Sequence, residues 1–304
     1  MVMKWGSIEI DLQKLRDAFS QMSYIINEDA LSTIYLALRL EKPLLVSGPA
    51  GVGKTELAKV LSFVLGARMI RLQCHEGLDE SKAIYDWNIQ RQLIKIHLAG
   101  QKNVQEEDDL FSLPFILQRP LLQAITQQDQ VLLLIDEIDR ADPDFEAFLL
   151  EMLSDFQVSI PEIGTIKATR KPVVVITNSG ERELSEALRR RCVFLYLDYP
   201  TIVEEAAILR ARIPDVLDAL SEDISFAVAW ARDQGHQFFG STAVLDWARA
   251  LLLLNADHYQ KDYVDKALET LAMNKENITA FESTLGKAES SQAGKGSGYG
   301  EIKD

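Results

Sequence analysis

Cysteine is scarce: Cys74 and Cys192 are the only two in 304 residues, and no C-x-x-C spacing occurs. That excludes a disulfide framework and makes a reducing cytosol the expected setting. Positive charge is also in deficit. Lys and Arg total 32 against 46 Asp and Glu, a formal net charge of −14 and a pI of about 4.8. Such an acidic chain is a poor candidate for non-specific binding to nucleic acid or anionic membranes as its main task. No run approaches the ~18 apolar residues of a membrane span, and the opening MVMKWGSIEID has no apolar signal core. No internal repeat is visible. Histidines number four; His97, His236 and His258 stand alone, and the adjacent Cys74-His75 pair has no second pair with which to hold a metal.

What remains is an ordinary globular composition, 47% apolar and 26% charged, for which the length suggests about two domains. Residues 8–21 carry a helical period, and Asp29 is placed to cap a helix running to Leu40. Leu44–Ser47, residues 68–73, Val131–Ile135, Val173–Thr177 and Val193–Leu197 read as strands. Helices are expected at Lys54–Leu65 and 143–155, and a hairpin at 157–170 around Pro161 and Gly164. Residues 74–118 are less regular and include the acidic run Glu106–Asp109. After Pro200 only helical periods occur. The expected organisation is an N-terminal helix (1–22), an α/β domain (23–200), an all-helical domain (201–287) and a polar Gly/Ser-rich tail (288–304).

The turn GPAGVGKT, Gly48 to Thr55, fits G-x-x-x-x-G-K-[ST] between a strand and a helix. Gly48, Gly51 and Gly53 let the backbone N–H groups point at phosphate oxygens, with Pro49, Ala50, Val52 and Glu56 completing the segment. Lys54 is positioned for the β/γ-phosphates and Thr55 for Mg²⁺. With ordinary glycine usage a chance match arises about 1% of the time. A second signal is VLLLIDEIDRAD, residues 131–142: an apolar strand ending in Asp136-Glu137. Asp136 would hold Mg²⁺, alongside Thr55, and Glu137 would polarise an attacking water. Asp139 and Asp142 read as helix caps or surface charges. A third is VVVITNSG, whose Asn178 ends a buried strand where it would orient that water.

In this order these features resemble the AAA+ ATPases, and more narrowly the MoxR-type group. The residues that carry the resemblance are GPAGVGKTELAK, RLQC at 71–74, LLLIDEIDRA at 133–141, ITNS at 176–179 and the arginine-before-strand segment ending LDYP at 197–200. Residues 23–260 are covered, and RLQCHEGLDESKAIYDWNIQRQL with ALRRRCVFLYLDYP looks closest to the CoxD-like branch. The resemblance implies a P-loop core, with a parallel five-stranded sheet between helices, followed by an all-helical lid. It implies ATP and Mg²⁺ as cofactors, with Ile25 and Ile26 near the base. It also implies a homo-oligomeric ring, six subunits by family habit, with an arginine finger reaching the neighbour's ATP. Arg191 takes that place, with Arg190 as fallback, while the row Arg189–Arg191 also suits a helix C-terminus.

Further expectations follow from the same resemblance. The region around 80–96 fits a helix insertion, and 157–170 a hairpin, facing a ring centre or partner; Trp87, Ile94 and Ile163 are the exposed-apolar candidates there. The segment GSTAVLDWARA at 240–250 lacks the arginine that relatives carry in the first turn, and Arg249 comes later. The function implied is a chaperone-like motor that remodels or matures a protein client such as a metalloenzyme, beside a partner with a von Willebrand factor A-type domain. The alternative is a nucleic-acid-associated motor or loader, disfavoured by the net acidity.

Overall fold

The computed structural model describes residues 4–5, 8–9, 11–99, 110–233 and 240–253. The acidic run 106–109, His236, His258, and everything expected of 254–287 and of the tail lie outside the described residues. The chain divides into two compact units: one of residues 1–19, 26–48 and 54–196, the other of residues 20–25, 49–53 and 197 onward.

The first unit opens with a short antiparallel pair, β1 (Lys4–Trp5) and β2 (Ile8–Glu9), then α1 (Leu12–Gln21). The helix expected from residue 8 therefore starts later: Ile8 and Glu9 are paired as a strand, and Asp11 caps α1 through Lys14 N–H at 2.7 Å. Helix α2 (Glu28–Arg39) is capped by Asn27, which accepts Ala30 N–H at 2.8 Å, two residues before the expected Asp29. Asp29 instead sits in the first turn, where a negative charge also suits the dipole.

The strands that follow are β3 (Leu44–Ser47), β4 (Arg68–Gln73) and β5 (Tyr85–Trp87), with α3 (Lys54–Val64), α4 (Glu80–Ile84) and α5 (Ile89–Ala99). Next come β6 (Ile116–Gln118), α6 (Pro120–Thr126), β7 (Val131–Asp136), α7 (Pro143–Asp155), β8 (Gln157–Ile160), β9 (Gly164–Lys167), β10 (Val173–Asn178), α8 (Glu186–Arg191) and β11 (Val193–Tyr196). Five of the strands form one parallel sheet in the order β11-β3-β10-β7-β4. Every residue of β7 is buried, as expected of a strand covered on both faces. The irregular stretch after β4 resolves into the antiparallel pair β5–β6, and β8–β9 form the hairpin expected at 157–170. Trp87 is half-buried edge-on to Tyr85 and Phe111, and Ile163 packs against the main core; Ile94, by contrast, is exposed.

The register aligns chemistry along one edge. Gln73 pairs with Asp136, and Asn178 with Ser47, at the carboxyl ends of adjacent strands. In open α/β sheets this edge is where ligands bind.

In the second unit, α9 (Ile202–Arg212) begins at a full capping box of Thr201 and Glu204. With α10 (Asp218–Asp233) and α11 (Ser241–Leu253) it encloses a core of Leu209, Leu220, Ile224, Val228, Val244 and Trp247. A buried ion pair, Arg232–Glu205 at 2.8 Å, lies in the same unit, with Arg232 over the Tyr199 ring. Also in this unit, Gly240 packs backbone to backbone on Gly51.

Candidate nucleotide site

The loop between β3 and α3 turns on Gly51 at φ +78° and Gly53 at φ +99°, conformations that a side chain resists. Tyr24 donates its hydroxyl proton to the Gly53 carbonyl at 3.3 Å. The sequence pointed to Ile25 and Ile26 for this neighbourhood and gave no sign of Tyr24. Lys54 is buried and donates to the Gly48 carbonyl at 2.6 Å. Burial lowers its pKa, opposed by the charges of Asp139, Glu137 and Asp136. Glu56, in the first turn of α3, is partly exposed and pairs with Lys59 at 3.0 Å.

Thr55 Oγ1 lies 3.2 Å from both oxygens of Asp136, which is buried at the end of β7. Thr177, fully buried on β10, donates to Asp136 Oδ1 at 2.6 Å and accepts the Glu137 N–H at 2.8 Å. Glu137 itself stands in the left-handed region at φ 58°, ψ 53°. Such a conformation costs a non-glycine residue about 1–2 kcal/mol and persists where surrounding bonds enforce it. Two side chains from β4 reach the carboxylates: Arg71 holds Asp136 Oδ2, and Gln73 donates to Glu137 Oε2 at 2.8 Å. Arg140 also pairs with Glu137, at 2.8 Å.

Asn178 donates from Nδ2 to Ser47 Oγ at 3.2 Å and accepts the Gly180 N–H at 2.8 Å, tying the ends of β3 and β10 together. Asp139, expected as a cap or surface charge, is buried instead. Its Oδ2 accepts the backbone N–H groups of Ser179 and Glu181 at 3.1 and 2.9 Å, so it fixes the loop after Asn178. Asp142 does occupy the N-cap position of α7, before Pro143.

The arginine helix α8 is moored to α7 at both ends. Buried Glu146 accepts Ser185 N–H at 2.7 Å and Arg182 Nη1 at 3.0 Å, while Arg191 Nη1 donates to the Leu150 carbonyl at 2.6 Å. Arg190 pairs with Glu186 one turn back. All three arginines of the row are exposed, and burial pushes the neighbouring Cys192 thiol up to about 12.

The donors fit ATP and magnesium chemically. Asp136 and Thr55 offer oxygen alone, the preference of a hard cation, and among the described residues no cluster of three or more His, Cys, Asp or Glu forms a self-sufficient metal site. Magnesium is commonly held in this way, by one or two protein groups plus phosphates and water. No helix among the described residues is long and apolar enough to cross a membrane.

A parallel sheet with a glycine loop after β3 and a carboxylate pair after β7, two strands away across β10, has the architecture of a P-loop protein of the AAA+ type. Residues 43–192, about half of the chain, match the family model for the AAA domain of the dynein-related subfamily. The chain is 25% identical over 230 residues to the chaperone protein ClpB of Vibrio cholerae, covering 74% of this chain and 23% of ClpB. It is 30% identical over 167 residues to an uncharacterized protein of Staphylococcus aureus (strain bovine RF122 / ET3-1), covering 53% and 57%. The fold is shared with a mutant form of RuvB from Thermotoga maritima at TM-score 0.51 and 23% identity, covering 84% and 74%. The chain thus spans under a quarter of the chaperone's length.

Proposed function

We propose that the chain binds ATP with Mg²⁺ and hydrolyses it in a ring of identical subunits, using the energy to remodel a protein client. The observation that carries this is the convergence of Lys54, Thr55, Asp136, Glu137 and Asn178 at the carboxyl edge of one sheet. Gly48 to Glu56, with Ile26 toward the base, form the nucleotide-binding segment. Lys54 would exchange the Gly48 carbonyl for the phosphates, and Thr55 and Asp136 would hold the magnesium ion. That ion would neutralise charge on the phosphates.

Glu137 accepts the proton of the attacking water, for which it must release Gln73 and Arg140. Asn178, already fixed by Ser47 and Gly180, orients the water. Arg191 acts on the neighbouring subunit's nucleotide, with Arg190 as second choice; the step requires Arg191 to leave the Leu150 carbonyl. A finger supplied in trans is worth about 10³–10⁵ in rate. Within the AAA+ class the motifs favour the MoxR-type group and its CoxD-like branch. The identity to a chaperone supports a protein client; a von Willebrand factor A-domain partner and a cytoplasmic setting rest on the resemblance to the MoxR-type group.

The test is a mixing experiment. Glu137→Gln and Arg191→Ala proteins are each expected to retain nucleotide and to lose turnover. Mixed, they recover part of it, because some interfaces pair an intact Glu137 with an intact Arg191. No recovery in confirmed mixed assemblies refutes the trans role, and a wild-type protein without ATPase activity refutes the whole reading. Affinity capture from the native host identifies the client; recovery of nucleic acid instead would overturn the proposal of a protein substrate.

A further inference from the structure

Arg71 and Gln73 lie two residues apart on the edge strand β4, both exposed, while Ile70 and Leu72 beside and between them point into the core. The alternation sends both polar side chains over the end of β7. Arg71 Nε and Nη2 approach Asp136 Oδ2 at 2.9 and 2.6 Å, and the same guanidinium bonds Gln73 Oε1. Asp136 is 2% exposed at its side chain and Arg71 49%. A carboxylate oxygen has two lone-pair positions. Oδ2 accepts a hydrogen bond from Arg71 Nε, with Nη2 of the same guanidinium also within ion-pair distance, and Oδ1 accepts Thr177 at 2.6 Å. Thr55 lies between them.

These donors differ in their freedom. Thr177 is fully buried in a central strand and also receives the Glu137 N–H, so it cannot retreat. Arg71 is half in solvent, on a long side chain whose guanidinium bonds the side chains of Asp136 and Gln73. A divalent cation seated on Asp136 and Thr55 would meet the guanidinium as a like charge on the same oxygen. Arg71 is the group able to yield.

We propose that Arg71 is the exchangeable counter-ion of Asp136: it neutralises the buried carboxylate when no divalent ion is bound, and gives up Oδ2 when Mg²⁺ arrives with nucleotide. Arg71 is then a positioning residue that sets the divalent concentration at which the site loads. The inference rests on the reading of Asp136 as a magnesium-holding residue.

The test uses Mn²⁺ as a paramagnetic stand-in, with free Mn²⁺ counted by electron paramagnetic resonance in the full chain plus adenylyl imidodiphosphate. Arg71→Gln is expected to bind Mn²⁺ at about tenfold lower free concentration, the low end of what a neighbouring arginine does to a carboxylate's proton affinity. Arg71→Lys, which keeps a single point charge, falls between. The metal-free Arg71→Gln protein melts below wild type and gains more from Mn²⁺ and nucleotide than wild type does. Unchanged or weaker Mn²⁺ affinity in Arg71→Gln, or in Arg71→Lys where Gln prevents folding, overturns the inference alone. Absence of nucleotide-dependent Mn²⁺ binding in wild type overturns the nucleotide-site reading itself.

Discussion

Thr177 donates its hydroxyl proton to Asp136 across the β7–β10 pair at 2.6 Å, and with the same oxygen accepts the N–H of Glu137. One hydroxyl thus orients the carboxylate proposed for metal and holds the left-handed backbone of the glutamate proposed for catalysis. Thr177→Val keeps the shape and removes both bonds. Leaving such groups unpaired costs about 1–3 kcal/mol. A loss of that size in a denaturant melt is expected, together with slower ATP turnover; Thr177→Ser recovers both. A valine variant as stable and as active as wild type would show that the hydroxyl is dispensable.

Asp139 makes the second prediction. Hydrogen bonds to a charged group contribute about 1.5–3 kcal/mol each, and its Oδ2 receives two, from Ser179 and Glu181. Asp139→Ala is expected to destabilise the protein by about 3 kcal/mol and to slow hydrolysis, because the loop that carries the Asn178 amide loses its anchor. Asp139→Asn, with one neutral acceptor left, is expected to lose about half as much, since charge-assisted bonds are roughly twice as strong as neutral ones. Urea melts and steady-state ATPase rates of the two variants, ranked against each other, decide this.

Much of the site was legible because its signals are local. A glycine loop with Lys-Thr needs no tertiary information, and neither does the fully apolar Val131–Ile135. Asp139 was not legible, since its burial depends on where β10 ends, some forty residues away. Thr177 did leave a trace: a lone hydroxyl inside VVVIT, which a buried strand tolerates only with a partner. Arg71 and Gln73 alternate as a strand edge should, but the sequence does not say which carboxylate they face. Helix α6 leaves little trace in the sequence because it is one short element starting on Pro120, a residue that signals a break as readily as a first helical position.

The two thiols supply a pH prediction. Burial pushes both Cys74 and Cys192 up to about 12, from an ordinary 9. The thiolate is the reactive form, so native alkylation of buried Cys74 by iodoacetamide at pH 8 is expected to be about 10³-fold slower than in denaturant, at one decade per pKa unit. For stability the sign is that of a raised pKa: the folded chain favours the neutral thiol. Its contribution is complete below about pH 9 and is lost as pH rises toward about 12. Fast native labelling of Cys74 would contradict its burial.

Gly240 gives the last prediction. A Cβ at this position would lie 2.7 Å from Gly51 Cα and 2.8 Å from the Ala50 carbonyl oxygen, both backbone atoms of the phosphate loop. Neither can rotate aside as a side chain would, so Gly240→Ala must displace the loop. Overpacking of this kind costs about 1–3 kcal/mol. Gly77→Ala is the control, with φ +72° and nothing within 4 Å of the added carbon; it carries backbone strain alone, about 1 kcal/mol. Gly240→Ala is expected to melt lower than Gly77→Ala and, unlike it, to weaken binding of a fluorescent ATP analogue, because the atoms forced to move are those proposed to meet the phosphates. If both variants bind the analogue as wild type does, the approach of Gly240 to Gly51 has no bearing on nucleotide binding.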